Sequence, residues 1–141
     1  MINKKYIQII DENINKEQAI ILTCTPLIKD SIIDNNYCDQ IIKALDTYGP
    51  YMAISKNIAI LHASSKSIYK DNIGLLVSTK GIIFNHPIND PIHYLFILSS
   101  TSNENHIEAL KKLSMKMLKD NFLQQLQKCN TIDKIYQYLN Q

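Results

Sequence analysis

Residues 92–98 form a nearly unbroken apolar run, which constrains the fold of this chain more than any other segment. The run is rich in β-branched and aromatic side chains, a composition that favours a strand. A strand without alternating polar residues is typical of one that is covered on both faces. The pattern therefore predicts a sheet with helices on each side.

Shorter apolar runs precede this one, separated by turn residues, at 52–54, 58–61, 73–78 and 82–84. Short runs of this kind, bounded by turn residues, are the usual sequence signal of strands. Together with residues 92–98 they predict a sheet of roughly five strands.

Helical patterns lie before the strand-rich region. Asn15 is followed three residues later by Gln18, the spacing of a capping box, and Pro26 should kink or shorten the helix that begins there. Asp34 precedes a second helical pattern, which Gly49 ends.

Helical patterns also follow the last strand. The polar stretch 99–103 is rich in residues that cap helices, and the helical period after it puts His106 in the first turn of a long helix. Asp120 and Thr131 can each cap a further helix.

Length and composition indicate a single domain over residues 1–141. The hydrophobic fraction of 45% and the charged fraction of 20% are ordinary for a soluble globular protein. No apolar stretch approaches the ~20 residues needed to cross a bilayer, and the N-terminus lacks the pattern of a signal peptide. We therefore expect a cytoplasmic protein.

The charge pattern argues against nucleic-acid binding. The net charge is only +2, and the densest lysine group, from Lys111 to Lys119, follows a helical pattern as a solvated helix face does. All fifteen basic side chains are lysines, so the planar fork with which arginine binds phosphate is absent from this chain.

The cysteines and histidines give little support to redox, thiol or metal chemistry. Cys24, Cys38 and Cys129 are widely separated, and we expect them to be reduced and partly buried. A nucleophilic Cys24 lacks a basic residue or a suitably spaced histidine nearby. No histidine pair has the spacing of a zinc motif, so we expect no metal site.

His62 directly follows the apolar run 58–61, so a strand can present its imidazole at the edge of a sheet. A neutral imidazole is a good nucleophile toward a phosphoryl group near pH 7. Periodicity alone favours the simpler interpretation, in which His62 is a polar residue that ends a strand.

The order and spacing of several motifs resemble the enzyme IIA domains of the bacterial phosphoenolpyruvate-dependent sugar phosphotransferase system. The resemblance lies in the fructose/mannitol superfamily and is greatest to its ascorbate-type branch. The motifs on which the resemblance rests are Gly-Pro-Tyr at 49–51, Ile-Ala-Ile-Leu-His at 58–62, Phe-Asn-His at 84–86, Asn-Asp-Pro at 89–91, and His106.

This resemblance implies an α/β fold, a single enzyme IIA domain with a mixed sheet of roughly five strands flanked by helices on both faces. It also implies that His62 accepts a phosphoryl group from the general phosphocarrier protein (HPr) and passes it to a cysteine of a cognate enzyme IIB. The membrane enzyme IIC would be engaged only indirectly, for uptake of ascorbate or a related carbohydrate. No cofactor is required, and a homodimer through a helical face would be unremarkable.

His106 matches the second histidine of the family and is expected to stabilise the transferring phosphate. The alternative interpretation is that His106 points into a polar corner of the core. The other candidates are Ser64, Ser65 and Lys66 as phosphate neighbours, and Tyr51 and His86 as a site wall or partner surface. Ordinary packing at a helix end is the alternative for Tyr51. His86 alternatively orders its own loop, and His93 is expected to be a core histidine.

The chain departs from the family pattern beside His62. Leu61 stands where relatives carry proline, and Ser64 where they carry arginine. Lys66 is expected to compensate in part, as a flexible point charge. These departures motivate the alternative of a diverged, non-catalytic regulatory module, and a metal-dependent hydrolase is a more distant alternative.

Overall fold

The computed structural model describes residues 1–64 and 66–141. A short 3₁₀ turn, Lys4–Tyr6, leads into the first strand. The strands are β1 (Ile7–Ile10), β2 (Ile58–Leu61), β3 (Asn72–Ile82) and β4 (Ile92–Ser99). The helices are α1 (Lys16–Lys29), α2 (Asn35–Tyr48), α3 (Asn103–Met117), α4 (Phe122–Lys128) and α5 (Ile132–Leu139).

The strands form one mixed sheet in the order β1-β3-β4-β2. β1 pairs parallel with β3, β3 antiparallel with β4, and β4 parallel with β2. Every residue of β4 except the half-buried His93 is buried. The prediction of a central strand covered on both faces is confirmed.

Helices cover both faces of this sheet, as predicted. Leu95 and Ile97 of β4 belong to the core under α1 and α2. Phe96 and Leu98, one residue out of phase, belong to the core under α3, α4 and α5. Alternate side chains of a strand point to opposite faces, so β4 contributes to both cores.

The number of strands differs from the prediction: across residues 1–64 and 66–141 the sheet has four strands rather than five. Residues 52–54 form no strand, and the chain there enters a turn in which Asn57 has φ +66°. Residues 73–78 and 82 lie in the single strand β3, whose pairing with β4 shifts between Val77 and Ile82. β1 was not predicted, because four residues at a sheet edge give a weak sequence signal.

The first two helices begin where the capping residues predict. Asn15 and Gln18 form the expected capping box, with reciprocal hydrogen bonds of 2.8 and 3.0 Å. Pro26 does not end α1, which continues to Lys29. Proline cannot donate to the carbonyl four residues earlier, that of Leu22, which instead accepts a hydrogen bond of 2.8 Å from Gln8 Nε2.

The last three helices agree with the sequence in part. Ser102 caps α3 and Thr131 caps α5, each accepting a hydrogen bond from a backbone N–H three residues on. Asp120 does not cap α4, which begins one residue later than predicted, with Asn121 at its start. Among the described residues, no helix combines the length and apolarity needed to span a membrane.

Candidate functional site

The candidate site lies where β2 and β4 end. These strands are parallel, with Leu61 opposite Ile97, so both chain segments leave the sheet at the same edge. His62 follows β2 directly, and the loop after β4 leads into α3, which carries His106. Side chains that follow parallel strands meet at this edge of a sheet, a common place for binding sites in α/β folds.

The structure brings the two histidines of this edge together. The ring centroids of His62 and His106 are 5.7 Å apart, with an angle of 52° between the ring planes. Both residues are half-buried. They border an open cavity of about 250 Å³, which is lined by His62, Ala63, Ser64, Ile68, Ser100, Thr101, Ser102, Asn103 and His106.

The protonation of the His62 ring follows from its backbone contact. Nδ1 lies 2.9 Å from the carbonyl oxygen of Ile60. A carbonyl oxygen can only accept a hydrogen bond, so Nδ1 carries the proton and donates it. In the neutral ring, Nε2 then holds the free lone pair.

The His106 ring is held neutral by its surroundings. Burial, with a smaller contribution from the neighbouring His62, lowers the pKa of His106 below its ordinary value. Both effects disfavour a positive charge on the imidazole. A neutral ring keeps one N–H donor and one nitrogen acceptor for contacts in the cavity.

The loop between β4 and α3 is anchored by Asp71. Its Oδ1 accepts hydrogen bonds from the Thr101 backbone N–H at 2.6 Å and from Thr101 Oγ1 at 3.1 Å. Its Oδ2 accepts a hydrogen bond of 2.7 Å from the Asn105 side chain. These contacts fix the loop that forms one wall of the cavity. The sequence indicated helix capping in this Ser/Thr stretch but not its place beside His62.

Tyr37 of α2 connects the end of β4 with the segment that follows β2. Its side chain is fully buried, and its hydroxyl donates to the Leu98 carbonyl at 2.5 Å. The same oxygen accepts a hydrogen bond of 3.2 Å from the backbone N–H of Ala63, the residue after His62. The sequence gives no sign of this bridge, because the partners of Tyr37 are distant in the chain.

The residues predicted as phosphate neighbours fall in different places. Ser64 is exposed and lines the cavity. Lys66 is exposed and is not among the cavity-lining residues. Ser65 lies outside the described residues.

Of the two residues predicted to form a site wall, Tyr51 lies beside His62 and His86 does not line the cavity. The Tyr51 ring stands at 89° to the His62 ring, with 6.1 Å between the ring centroids. His86 is not among the residues that line the cavity. Its Nδ1 accepts hydrogen bonds from the backbone N–H groups of Ile88, at 3.2 Å, and Asn89, at 3.0 Å, which orders its own loop.

Cys24 is poorly suited to act as a nucleophile. Cys24 and Cys38 are buried, and a hydrogen bond with Cys38 together with burial raises the pKa of the Cys24 thiol. A protonated, buried thiol is a poor nucleophile. Residues 1–64 and 66–141 contain no cluster of three or more His, Cys, Asp or Glu side chains suited to a metal ion.

Known proteins similar to this chain are enzyme IIA components. It is 33% identical over 99 residues to the "Ascorbate-specific PTS system EIIA component" of Mycoplasma pneumoniae, covering 70% of this chain and 62% of that protein, less than two thirds of its length. It is 30% identical over 112 residues to the "Mannitol-specific cryptic phosphotransferase enzyme IIA component" of Escherichia coli, covering 78% of this chain and 75% of that one.

Solved structures share the fold at lower identity. The cryptic mannitol-specific enzyme IIA of Escherichia coli superposes with a TM-score of 0.85 at 24% identity, covering 97% of this chain and 92% of that one. Enzyme IIAMTL of Escherichia coli, in a complex with phosphorylated enzyme IIBMTL, gives a TM-score of 0.85 at 15% identity, covering 99% and 97%. The family model described as "Phosphoenolpyruvate-dependent sugar phosphotransferase system, EIIA 2" matches residues 1–141, and the chain therefore belongs to this family.

Proposed function

We propose that this protein is a phosphohistidine carrier, which accepts a phosphoryl group on His62 from HPr and passes it to a cysteine of a cognate enzyme IIB. The observation that carries the proposal is the pairing of His62 with His106, 5.7 Å apart at the rim of an open cavity. Membership of the enzyme IIA family supports the same role.

The transfer step uses the nitrogen that the backbone leaves free. The Nε2 lone pair of His62 attacks the phosphorus of the donor phosphohistidine, and a new N–P bond forms. The donor N–P bond breaks, and its electron pair returns to the donor imidazole. The Nδ1 proton of His62 stays in place, shared with the Ile60 carbonyl, so the ring takes up the positive charge that the donor ring loses.

His106 supports this step as a hydrogen-bond donor. Its lowered pKa keeps it neutral near pH 7, with one N–H available to a phosphoryl oxygen. A donor that is already in position costs no reorganisation when charge develops in the transition state. The reaction needs positioning and charge stabilisation rather than a metal or an organic cofactor.

Exposed apolar side chains offer a surface for protein partners, and one of them, Tyr51, lies beside His62. Tyr51, Ile54 and Ile88 are 48%, 45% and 77% exposed. The Asn89 side chain donates to the Ala53 carbonyl at 2.7 Å, which joins the two loops that carry these residues. The complex of a structural relative with phosphorylated enzyme IIB supports an enzyme IIB as one partner.

The transported compound is proposed from the relatives alone. The Mycoplasma pneumoniae relative is named ascorbate-specific, so we propose ascorbate or a related carbohydrate, taken up through a membrane enzyme IIC that this protein meets only by way of enzyme IIB. On this proposal the protein acts in the cytoplasm, where HPr supplies the phosphoryl group.

A second candidate function is a regulatory module that is phosphorylated, or binds a partner, without passing phosphate on. The observation that favours it is the weak cationic character of the site. Ser64 occupies the position of the family's arginine, and the nearby Lys66 is not among the cavity-lining residues.

A phosphorylation assay separates these functions. The protein is incubated with phosphoenolpyruvate, the general enzyme I and HPr, and we expect an acid-labile, base-stable phosphate on His62. His62→Gln should abolish the label. His93→Gln should retain it, because His93 lies in β4, away from the cavity lining.

Addition of the cognate enzyme IIB should then remove the label. Label that forms on His62 but does not leave would favour the regulatory module. Absence of label on a folded wild-type protein would contradict phosphate carriage.

A further inference from the structure

The hydroxyl of Ser100 is an exception among its neighbours. Its oxygen is buried, and it has no hydrogen-bond partner among the described residues. Ser99 Oγ donates to the Lys70 carbonyl at 3.1 Å, and Thr101 Oγ1 donates to Asp71 at 3.1 Å. Buried polar groups are nearly always paired, so an unpaired one in a native structure calls for a physical reason.

The position of Ser100 suggests that reason. The residue lines the same cavity as His62 and His106. It also borders a second cavity, whose lining includes the carboxylates of Asp71 and Glu108. Carboxylates repel an anion, so a phosphoryl group would be accepted on the histidine side.

Phosphate in this cavity depends on neutral hydrogen-bond donors, of which His106 is one. The chain has no arginine, and Lys66 is not among the residues that line the cavity. A serine hydroxyl donates one hydrogen bond and reorients by rotation about a single torsion. Hydrogen bonds between a hydroxyl and an anionic oxygen are about twice as strong as neutral ones.

We propose that the Ser100 hydroxyl binds the phosphoryl group on His62 by donating a hydrogen bond to a phosphoryl oxygen, at a site where Ser64 stands in the position of the family's arginine. This inference rests on the proposed phosphate-carrier function. It assigns to Ser100 a binding role rather than a structural one, since the apo protein leaves its hydroxyl unpaired among the described residues.

Ser100→Ala tests the proposal because activity should fall without a loss of stability. Removing an unpaired buried hydroxyl leaves no partner unsatisfied, so the melting temperature should stay the same or rise. The rate constant for phosphorylation by HPr should fall by about 10- to 100-fold, the loss expected for one hydrogen bond to a charged group. KM for HPr should not change, because Ser100 lies in the cavity wall rather than on the partner surface.

Ser99→Ala is the matched control. Its hydroxyl is buried but already paired, so this variant should lower the melting temperature and keep the phosphorylation rate constant within about twofold of wild type. The ³¹P resonance of phosphorylated His62 should shift in Ser100→Ala and stay in place in Ser99→Ala.

The outcomes distinguish the role of Ser100 from the phosphate-carrier function on which it rests. A wild-type protein that takes no phosphate on His62 would overturn the carrier function and this inference with it. A Ser100→Ala variant that is phosphorylated at the wild-type rate would overturn only the role of Ser100. A variant that loses melting temperature and activity together would assign Ser100 a structural role and also overturn the inference.

Discussion

At the scale of single residues, phosphate on His62 would add negative charge beside a ring that is now kept neutral. The His106 ring lies 5.7 Å from the His62 ring. Burial, and to a smaller extent the His62 ring, lower the pKa of His106. An anion at this distance favours the protonated imidazole and opposes both effects. The two histidines are therefore coupled through charge as well as through position.

We expect the pKa of His106 to lie below 6.5 in the unphosphorylated protein and to rise when His62 is phosphorylated. Its ring resonances can be followed by NMR as the pH is varied in both states. A pKa of His106 that is unaffected by phosphorylation would contradict the proposed proximity of phosphate to its ring.

The same shift affects stability. Because the pKa of His106 is lowered on folding, the unfolded chain binds a proton more readily, and the free energy of unfolding should fall as the pH drops below about 6.5. His106→Gln cannot titrate, so this variant should show a weaker pH dependence than wild type in chemical unfolding between pH 7 and 5.

Removal of the Tyr37 hydroxyl should lower the free energy of unfolding. In Tyr37→Phe, the Ala63 N–H and the Leu98 carbonyl both lose a buried partner, and we expect a loss of about 1–3 kcal/mol in the free energy of unfolding. Tyr69→Phe is the control, because its hydroxyl bonds to Asp34 at an exposed position; it should change stability by less than about 0.5 kcal/mol. Equal losses in urea unfolding would contradict a special role for Tyr37.

At the scale of elements, capping residues were the most reliable sequence signal and short strands the least. Asn15, Asp34, Ser102 and Thr131 each cap a helix through their side chains, because a cap depends on residues within one turn. β1 depends on pairing with β3, more than sixty residues away in sequence, which local patterns do not carry. For the same reason, the irregular pairing within β3 was mistaken for a strand boundary.

The irregular part of β3 needs glycine at one position. Gly81 has φ +81°, and a Cβ there would lie 2.8 Å from Pro91 Cβ. Gly49, at the end of α2, has φ +83°, but a Cβ added to it would meet no atom within 4 Å. Substitution of Gly49 therefore isolates the cost of the backbone angle.

Gly49→Ala should lower the free energy of unfolding by about 1–3 kcal/mol, because φ +83° with ψ −167° is a backbone conformation that is populated almost only by glycine. Gly81→Ala should cost more than Gly49→Ala, because a steric clash adds to the backbone strain. Thermal and urea unfolding of the two variants provide the comparison, and equal losses would show that β3 adjusts around the added methyl group.

At the scale of the whole molecule, the central strand β4 supports both hydrophobic cores, as β2 and β3 also do. Ile97 of β4 is fully buried in the core under α1 and α2, while its neighbours Phe96 and Leu98 pack under the other three helices. β4 also leads directly into the loop that walls the candidate site. Damage to this strand should affect the entire fold.

We expect Ile97→Ala to reduce the free energy of unfolding by about 2–5 kcal/mol, the range for a buried aliphatic side chain cut back to alanine. Ile107→Ala should change it by no more than about 0.5 kcal/mol, because Ile107 is 65% exposed on α3. Similar losses in the two variants would contradict the observed packing of β4.

The sequence predicted part of the candidate site and left the rest unresolved. The motif order identified His62 and His106 and implied that they meet, and the structure places their rings together. The Asp71 anchor, the Tyr37 bridge and the position of Ser100 did not emerge. Each depends on contacts between segments that are remote in the chain and share no local periodicity.

The parallel pairing of β2 and β4, with Leu61 opposite Ile97, has a consequence for how chains of this kind can vary in length. Deleting a single residue within β2 would turn the imidazole toward the opposite helical layer, because successive side chains alternate in direction. Extra residues in the exposed loop around Ile88, between β3 and β4, would not change the direction in which the His62 side chain points. Homologues should therefore tolerate gaps in this loop while holding the strand's residue count constant.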